Sequence, residues 1–365
     1  MGRDLNSRDL PDNARGIMTT IETKAGETGA RPEFLEYVMT LGMTTMEGRG
    51  FYYPVDIAIG QDERLYVVNR SLDIVPRGVR VTMCDIDSEY YGTFGSFGEK
   101  DGQFVWPSGG AIDSRGRVYI SDEQLHRISV FDHAGAFLSR WGSHGTGEGE
   151  FDTPSGIAFD NQDNLFVSDT YNHRIQKFTA DGRFLLSFGS QGHGDGELNL
   201  PWGVTLDANN NVYVANWGND CILKFSPQGE YLASYGTSGS GDGEFQRPSS
   251  VAVDEAGYIY VADWGNERVQ VLDPEGGFVM KLRGQATLSK WAENFLSVNV
   301  EEGAARARAN LELEIDYSVI HPHEESSHIE KFFWSPVSVK LDRAGTLYVT
   351  ESNRHRIQVY KRIAS

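Results

Sequence analysis

Six copies of one short pattern run through this sequence. Each copy begins with a proline, followed by two variable residues, a short β-branched run and then a second apolar run. Successive copies start 53, 47, 47, 47 and 88 residues apart, so the last spacing holds one ordinary repeat and an insertion. The six starting residues are Pro54, Pro107, Pro154, Pro201, Pro248 and Pro336.

Alternating apolar and polar residues predict four short strands within each unit. In the third unit these strands are 156–160, 164–169, 174–179 and 184–190, and the turns between them are rich in Asn, Asp and Gly. Four short antiparallel strands at a regular spacing are typical of a propeller blade, and no helical period separates them as a parallel array would require. The sequence therefore predicts an all-β, six-bladed β-propeller.

The two ends of the array predict how the ring closes. The sixth unit stops after its third strand, at residues 356–362, and the apolar stretch 34–42 resembles the fourth strand of the other units. Pairing these two segments would remove the exposed edges of an open ring. We therefore expect one propeller domain over residues 31–365 and a flexible N-terminal arm over residues 1–30.

The units resemble NHL repeats over about residues 34–365. The resemblance rests on P-x-G-I/V-A followed by segments such as SDTYNHRIQKF, SDEQLHRISVF and TESNRHRIQVY, which recur in phase. It implies an NHL six-bladed propeller, and such propellers in general are binding platforms for protein or RNA. One related branch is the peptidylglycine alpha-amidating lyase, a metal-dependent enzyme, so the fold alone leaves binding and catalysis open.

The resemblance to the lyase can be followed residue by residue. Arg70 and Tyr171 match its first arginine and its catalytic tyrosine, whereas Trp217 stands where its second arginine would be. If this chain is a lyase or hydrolase, the resemblance implies that Arg70 stabilises developing negative charge and Tyr171 acts as general base. The lyase holds its zinc through histidines that directly follow the repeat proline, and none of the equivalent residues here is a histidine: Val55, Ser108, Ser155, Trp202, Ser249 and Val337.

The charge and composition narrow the classes of partner. A net charge of −19 disfavours nucleic acid and anionic membrane surfaces, because both bind mainly through Lys and Arg. No secretory signal or membrane span of ~20 apolar residues is visible, so we expect a cytoplasmic protein whose partner is a protein or a small-molecule ligand. Cys84 and Cys221 lie in different repeats, and we expect them to be free thiols.

Two interruptions of the repeat predict which face of the propeller is functional. Residues 71–78 and the insertion 284–331 both fall on the face that carries the connections from one blade to the next, because strands alternate in direction. Apolar residues near helical spacing in 286–314 predict one or two helices. These helices either form a lid over the axial channel or dock on the rim of the ring.

Candidate ligand-binding residues lie close to that face. Trp202, Trp217 and Trp264 fall near strand ends, where they either line a binding surface or pack between blades. His321, His323 and His328, beside three glutamates, have side chains that suit zinc, although loop histidines are more often simply solvated.

Two recurring sets of polar residues have a structural interpretation and a functional one. The second strands end on a ring of side chains that could bind calcium or that accept hydrogen bonds from loop amides: Asn69, Asp122, Asp169, Asn216, Asp263 and Glu351. Because every blade has one, we favour the structural role. The pairs His126-Arg127, His173-Arg174 and His355-Arg356 also recur in phase, and we expect them to make hydrogen bonds between strands or blades rather than to be catalytic.

Overall fold

The computed structural model describes residues 34–72, 76–313 and 321–363, and these residues form a six-bladed propeller of four-stranded antiparallel sheets. Phe34–Ala364 is one compact unit, and the predicted arm over residues 1–30 lies outside the described residues. The predicted fold class is therefore confirmed. No helix among the described residues has the length and apolar character needed to cross a bilayer.

Each blade consists of four consecutive strands, except the last. The strands are Pro54–Ile59, Leu65–Asn69, Arg80–Cys84 and Tyr90–Phe94 in blade 1; Pro107–Ile112, Val118–Asp122, Arg127–Phe131 and Phe137–Trp141 in blade 2; Pro154–Phe159, Asn164–Asp169, Arg174–Thr179 and Phe184–Phe188 in blade 3; Pro201–Leu206, Val212–Asn216, Cys221–Phe225 and Tyr231–Tyr235 in blade 4; Pro248–Val253, Ile259–Asp263, Arg268–Leu272 and Phe278–Leu282 in blade 5; and Pro336–Leu341, Leu347–Glu351, Arg356–Arg362 and Leu35–Leu41 in blade 6. A short parallel pair, Thr237–Ser238 with Glu244–Phe245, lies between blades 4 and 5.

The ring closes as the sequence predicts. Leu35–Leu41 pairs antiparallel with Arg356–Arg362, so the N-terminal strand becomes the outermost strand of blade 6. This pairing leaves no blade with three strands and an open edge. Both cysteines are free, with Cys84 buried and Cys221 partly buried.

The core lies between adjacent blades and is built around one wedge residue per connection. Three residues before each repeat proline, a side chain with no exposed surface packs between two blades: Phe51, Phe104, Phe151, Leu198, Phe245 and Phe333. Burying one such side chain stabilises the fold by roughly 1.5–3 kcal/mol. The wedge also explains the glycine that directly follows five of the six fourth strands. A Cβ on Gly142 would lie 2.7 Å from the Phe151 ring, and one on Gly236 would lie 2.2 Å from the Phe245 ring.

The described residues of the insertion, 284–313 and 321–331, contain three helices, which we label α1 (Lys290–Val298), α2 (Val300–Arg308) and α3 (Pro322–His328). The helices expected in the first part of the insertion are therefore present. Ser289 caps α1 by accepting a hydrogen bond from the backbone amide of Ala292 at 3.1 Å. A Ser at this position satisfies one of the unpaired amides of the first helical turn.

Helix α1 docks on the rim of the ring, where blade 6 meets blade 1. Trp291 is 2% exposed, and its ring lies 5.6 Å from that of Phe51. Its Nε1 donates to the backbone oxygen of Ser88, at 2.6 Å, and the Ser289 hydroxyl donates to that of Gly42. Because Ser88 lies in the outer turn of blade 1, α1 bridges the closure and takes the rim position, the second of the two expected placements.

We expect Trp291→Ala to lower the free energy of unfolding by about 3–5 kcal/mol, because it empties a buried site at the ring closure. Phe295→Ala, on the same helix but 41% exposed, is the matched control and should cost less than about 1 kcal/mol. Urea unfolding followed by near-ultraviolet circular dichroism measures both. Equal losses for the two variants would mean that α1 does not stabilise the closure.

Candidate functional site

The two faces of the propeller are formed by different sets of loops. We call the face formed by the second-to-third-strand loops and the blade-to-blade connections the connection face, and the face formed by the other turns the turn face. Residues 71–72 and 76–78 and both ends of the insertion lie on the connection face, as expected from strand direction.

The polar ring at the ends of the second strands anchors the connections. In blade 3, Asp169 accepts a hydrogen bond from the Asp152 amide at 2.7 Å, and in blade 5, Asp263 accepts one from the Gln246 amide at 2.7 Å. The same bond, from the residue two before the repeat proline, recurs in every blade. All six side chains have no exposed surface: Asn69, Asp122, Asp169, Asn216, Asp263 and Glu351.

This burial favours the structural interpretation of the ring. Burial raises the pKa of Asp122, Asp169 and Asp263, while hydrogen bonds from loop amides oppose that shift. The carboxylates lie beneath the connection face, where their oxygens are already used. A ligand on that face does not reach Asp122, Asp169, Asp263 or Glu351 unless the connections open.

The arginine at the start of the third strand holds the same connection from the other side. Arg174 donates to the carbonyl oxygens of Thr146, Gly147 and Glu150 at 2.7–3.0 Å, and its Nε donates to Asp169 at 2.8 Å. Arg268 and Arg356 make corresponding bonds in blades 5 and 6. In blade 4 Cys221 takes this position, so the connection over 189–200 lacks the arginine.

In five blades, the residue just before the third strand makes a hydrogen bond between blades, which we call the clasp. Its side chain accepts the backbone amide of the residue that precedes the next repeat proline, at 2.6–3.2 Å. Both residues of each clasp have left-handed φ angles, between 48° and 59°. The clasps join His126 to Thr153, His173 to Leu200, Asp220 to Arg247, Glu267 to Ser335 and His355 to Tyr53. The inter-blade role expected for the histidines is confirmed for this bond.

Two of the predicted binding-face tryptophans contact each other on the connection face. The rings of Trp202 and Trp217 lie 6.5 Å apart, and the guanidinium carbon of Arg247 lies 4.9 Å from the Trp217 ring centre. Both tryptophans are partly exposed and Arg247 is exposed. Trp264 is also partly exposed and begins the turn of blade 5 that α3 packs against. These residues form an aromatic surface with one cation on it.

The first predicted catalytic residue, Arg70, is paired with a buried acid. Its guanidinium donates to both oxygens of Glu123, at 2.9 and 2.7 Å, and stacks 5.0 Å from the Trp106 ring. Glu123 is 4% exposed, and burial raises its pKa while Arg70 opposes that shift. Two parallel hydrogen bonds fix the guanidinium, so its charge is already neutralised.

The second predicted catalytic residue, Tyr171, lies two blades away from Arg70. It is 58% exposed, and its backbone amide donates to the Asp152 carbonyl at 3.1 Å. Within the described residues no hydrogen bond or ring contact joins Tyr171 to Arg70 or Glu123. The catalytic roles that the resemblance implies for Arg70 and Tyr171 stay predictions.

Two of the three histidines predicted to bind metal make hydrogen bonds with other groups. His323 Nδ1 contacts the buried carboxylate of Glu267, and its Nε2 accepts from Trp334 Nε1 at 3.0 Å. His321 Nδ1 accepts the amide of His323 at 3.2 Å, which caps α3. In the described part of the chain these histidines do not converge into a ligand group, and the side chains that do so lie at the junction of blades 2 and 3.

A cavity of about 590 Å³ opens on the turn face rather than on the predicted face. The last residue of each first strand contributes an apolar side chain to its wall, for example Ile112, Phe159 and Leu206. The aspartates around it, such as Asp113 and Asp160, accept hydrogen bonds from the amides of their own turns at 2.8–3.0 Å. The cavity is thus a consequence of the repeated turn.

Sequence reasoning missed the partner of Arg70 and the convergence at the junction of blades 2 and 3. Glu123 occupies the position in blade 2 that Arg70 occupies in blade 1, 53 residues earlier, which is also the spacing of the first two prolines. Aligning the six units position by position would have found this pair. His144 and Asp152 could have been found by the same alignment.

Two families match parts of the chain. The NHL repeat matches residues 245–272 and 333–360, and the SMP-30/Gluconolactonase/LRE-like region matches residues 107–240. The B-box type zinc finger protein ncl-1 of Caenorhabditis elegans is 46% identical over 48 residues, and Protein brain tumor of Drosophila melanogaster is 42% identical over 48 residues. These matches cover 13% of this chain but only 6% and 5% of the relatives.

Several solved propellers are similar over most of the chain. They include a Bacteroides thetaiotaomicron protein of unknown function, with a TM-score of 0.58, 18% identity and coverage of 90% of this chain and 76% of that one. For a gluconolactonase from Xanthomonas campestris the TM-score is 0.53 at 13% identity, and the match covers 86% of this chain and 88% of that one. For a catalytically inactive virginiamycin B lyase from Staphylococcus aureus, crystallised with quinupristin, the TM-score is 0.52 at 12% identity. The match covers 91% of this chain and 100% of that one. At these identities the likeness supports the fold alone.

The clasp made by His355 predicts a pH dependence of stability. Burial lowers the pKa of His355 to about 4, below its ordinary value of 6.5, so the unfolded chain binds a proton more readily. Stability should therefore fall as pH drops from 6.5 to about 4, by roughly 2 kcal/mol from this residue after allowing for solvent screening.

His355→Asn should reduce this dependence, because Asn can accept the Tyr53 amide and tolerates a left-handed φ without titrating. Urea unfolding between pH 4 and 7 measures the slope. His193→Asn, at an exposed histidine outside the clasps, should leave the slope unchanged. The same slope in His355→Asn and the parent chain would contradict the assignment.

Proposed function

We propose that this chain, an NHL-repeat six-bladed propeller, is a binding platform that engages a protein or a small-molecule ligand on its connection face. The observation that carries the proposal is the aromatic surface of Trp202, Trp217 and Trp264 with the exposed Arg247. Tryptophan and arginine are the residues that most often dominate binding energy at interfaces. Trp217 and Arg247 already contact each other, so little side-chain entropy is lost when a partner covers them.

The distribution of buried acids supports the same face. The anchoring carboxylates are covered by the connections, which leaves the exposed guanidinium of Arg247 against the ring of Trp217. Such a surface suits a partner that presents an apolar or aromatic group beside a carboxylate. Nucleic acid is disfavoured, because its binding needs several cations that neutralise phosphates.

Two exposed arginines on opposite faces provide a matched test. Arg247→Glu reverses the charge on the connection face, and Arg343→Glu does so at the mouth of the turn-face cavity. The tagged parent chain is expressed in its native cells, and its partners are identified by quantitative mass spectrometry and then reconstituted from purified components. We expect Arg247→Glu to weaken binding at least tenfold, about 1.4 kcal/mol, and Arg343→Glu to leave it unchanged.

Trp217→Ala in the same titration should cost about 2 kcal/mol or more, as expected for a central aromatic residue. Thermal melts establish that each variant is folded. A partner that binds equally well to Arg247→Glu and to the parent chain would place the binding surface elsewhere.

A lyase or hydrolase remains the second candidate, because the SMP-30/Gluconolactonase/LRE-like region matches residues 107–240. This alternative needs Arg70 free to face a substrate, whereas the binding platform treats its pair with Glu123 as structural. Lactone substrates assayed with zinc or calcium present provide the direct measurement. Turnover that disappears in both Arg70→Ala and Tyr171→Phe would favour the enzyme.

A structural role for the Arg70–Glu123 pair predicts how substitutions of the two residues change stability. Arg70→Ala leaves the carboxylate of Glu123 buried without its partner and should destabilise the fold by about 3 kcal/mol. The double variant Arg70→Ala/Glu123→Ala should recover at least half of that loss, because it also removes the buried charge. Urea unfolding of the two single variants and the double variant gives the coupling energy, and purely additive losses would contradict the structural role.

A further inference from the structure

Three side chains converge at the junction of blades 2 and 3 on the connection face. His126 makes the clasp, His144 opens the connection between these blades, and Asp152 lies two residues before Pro154. His126 Nδ1 lies 3.9 Å from one oxygen of Asp152, and His144 Nε2 lies 3.9 Å from the other. One ligand atom from each residue falls within 4.8 Å of the others, and the two imidazole centres are 4.4 Å apart.

The backbone holds all three residues in place. Asp152 donates its amide to the buried Asp169 at 2.7 Å and accepts the Tyr171 amide at 3.1 Å. His144 is bracketed by two bonds across the loop, from the Phe151 amide to Ser143 and from the Gly145 amide to Phe151, at 2.8 and 3.1 Å. The loop is therefore fixed while the side chains stay accessible: His144 is 66% exposed and Asp152 is 33% exposed.

The other junctions show what the fold itself requires at these positions. Residues 47 further along in the chain, at the junction of blades 3 and 4, are His173, Gln191 and Asn199, and the next set is Asp220, Ser238 and Gln246. Across the closure the set is His355, Thr44 and Tyr52. Only the clasp acceptor is common to all of these sets. The second and third positions are free to vary, and two imidazoles with a carboxylate occur together at only one of these four junctions.

We propose that His126, His144 and Asp152 bind a divalent transition metal, with zinc as the first candidate. Two imidazoles and a carboxylate form the ligand set that suits zinc and its neighbours better than calcium or magnesium. Ligand atoms of tetrahedral zinc lie about 3.4 Å apart, so ligand atoms that lie within 4.8 Å of one another need to approach by up to about 1.4 Å. Rotation of the exposed His144 side chain supplies much of this movement. Three protein ligands leave a fourth position for water or a partner's donor atom.

Metal binding at this site changes the clasp between blades 2 and 3. His126 Nδ1 is the atom that accepts the Thr153 amide at 3.2 Å, so its lone pair serves either the amide or the metal. Coordination through Nδ1 therefore replaces one inter-blade hydrogen bond, while the bond from the Asp152 amide to Asp169 and the bonds made by Arg174 keep the connection in place. The site is correspondingly one of moderate affinity.

Isothermal titration of zinc into the full chain, purified without an affinity tag, tests the assignment. We expect one equivalent of zinc at pH 7.5, and at least tenfold weaker binding in His144→Ala and in Asp152→Asn. His173→Ala removes a clasp where no ligand group exists, and Gln191→Ala changes the position equivalent to His144, so both should bind as the parent chain does. The triple variant His321→Ala/His323→Ala/His328→Ala should also retain the site.

A gain of binding provides the reciprocal test. Gln191→His with Asn199→Asp places the same three side-chain types at the junction of blades 3 and 4, and this double variant should bind a second equivalent of zinc. No zinc binding by the parent chain, or unchanged binding in His144→Ala, would overturn the proposal. A double variant that stays at one equivalent would contradict the rule that these three positions define the group. None of these outcomes depends on whether a partner occupies the aromatic surface.

Discussion

The structure depends on a buried side chain that accepts the backbone amide of a connection between blades. Each connection makes a tight reversal just before the repeat proline, and the backbone amides of this reversal bond to side chains rather than to a neighbouring strand. The residue at the end of the second strand takes one of them in every blade, and in five blades the clasp takes another. An unsatisfied buried amide costs about 1–3 kcal/mol, so six such positions decide whether the ring forms.

The anchors and the wedge residues depend on one another. An anchored connection places its wedge, such as Phe151 or Phe245, between two blades, and the packed wedge excludes water from the hydrogen bonds of the anchor. Low local polarity strengthens those hydrogen bonds and raises the cost of losing them. The left-handed residues of the clasp, each costly for a non-glycine side chain, persist because packing and hydrogen bonding together fix them.

The sequence predicts the parts of the molecule that local periodicity controls. The strands of the third unit were expected at 156–160, 164–169, 174–179 and 184–190, and the structure has Pro154–Phe159, Asn164–Asp169, Arg174–Thr179 and Phe184–Phe188. Closure by residues near 40 follows from the missing strand. The docking of Trp291 on the rim and the pairing of Arg70 with Glu123 depend on contacts between distant segments, and helical spacing or a single motif carries no information about them.

Repetition also separates the positions that build the ring from those that can acquire a function. The residue following the anchor is Arg70, Glu123, Thr170, Trp217, Trp264 or Ser352, depending on the blade, whereas the anchor itself is always Asp, Asn or Glu. A position that tolerates a cation, an acid and an indole makes no uniform contribution to closure. Because closure is carried by the anchors, substitutions at the variable positions can change what the connection face recognises while the ring persists. Arg70 and Glu123 are the exception, because two hydrogen bonds pair the guanidinium of Arg70 with the buried carboxylate of Glu123 and couple substitutions at these two positions.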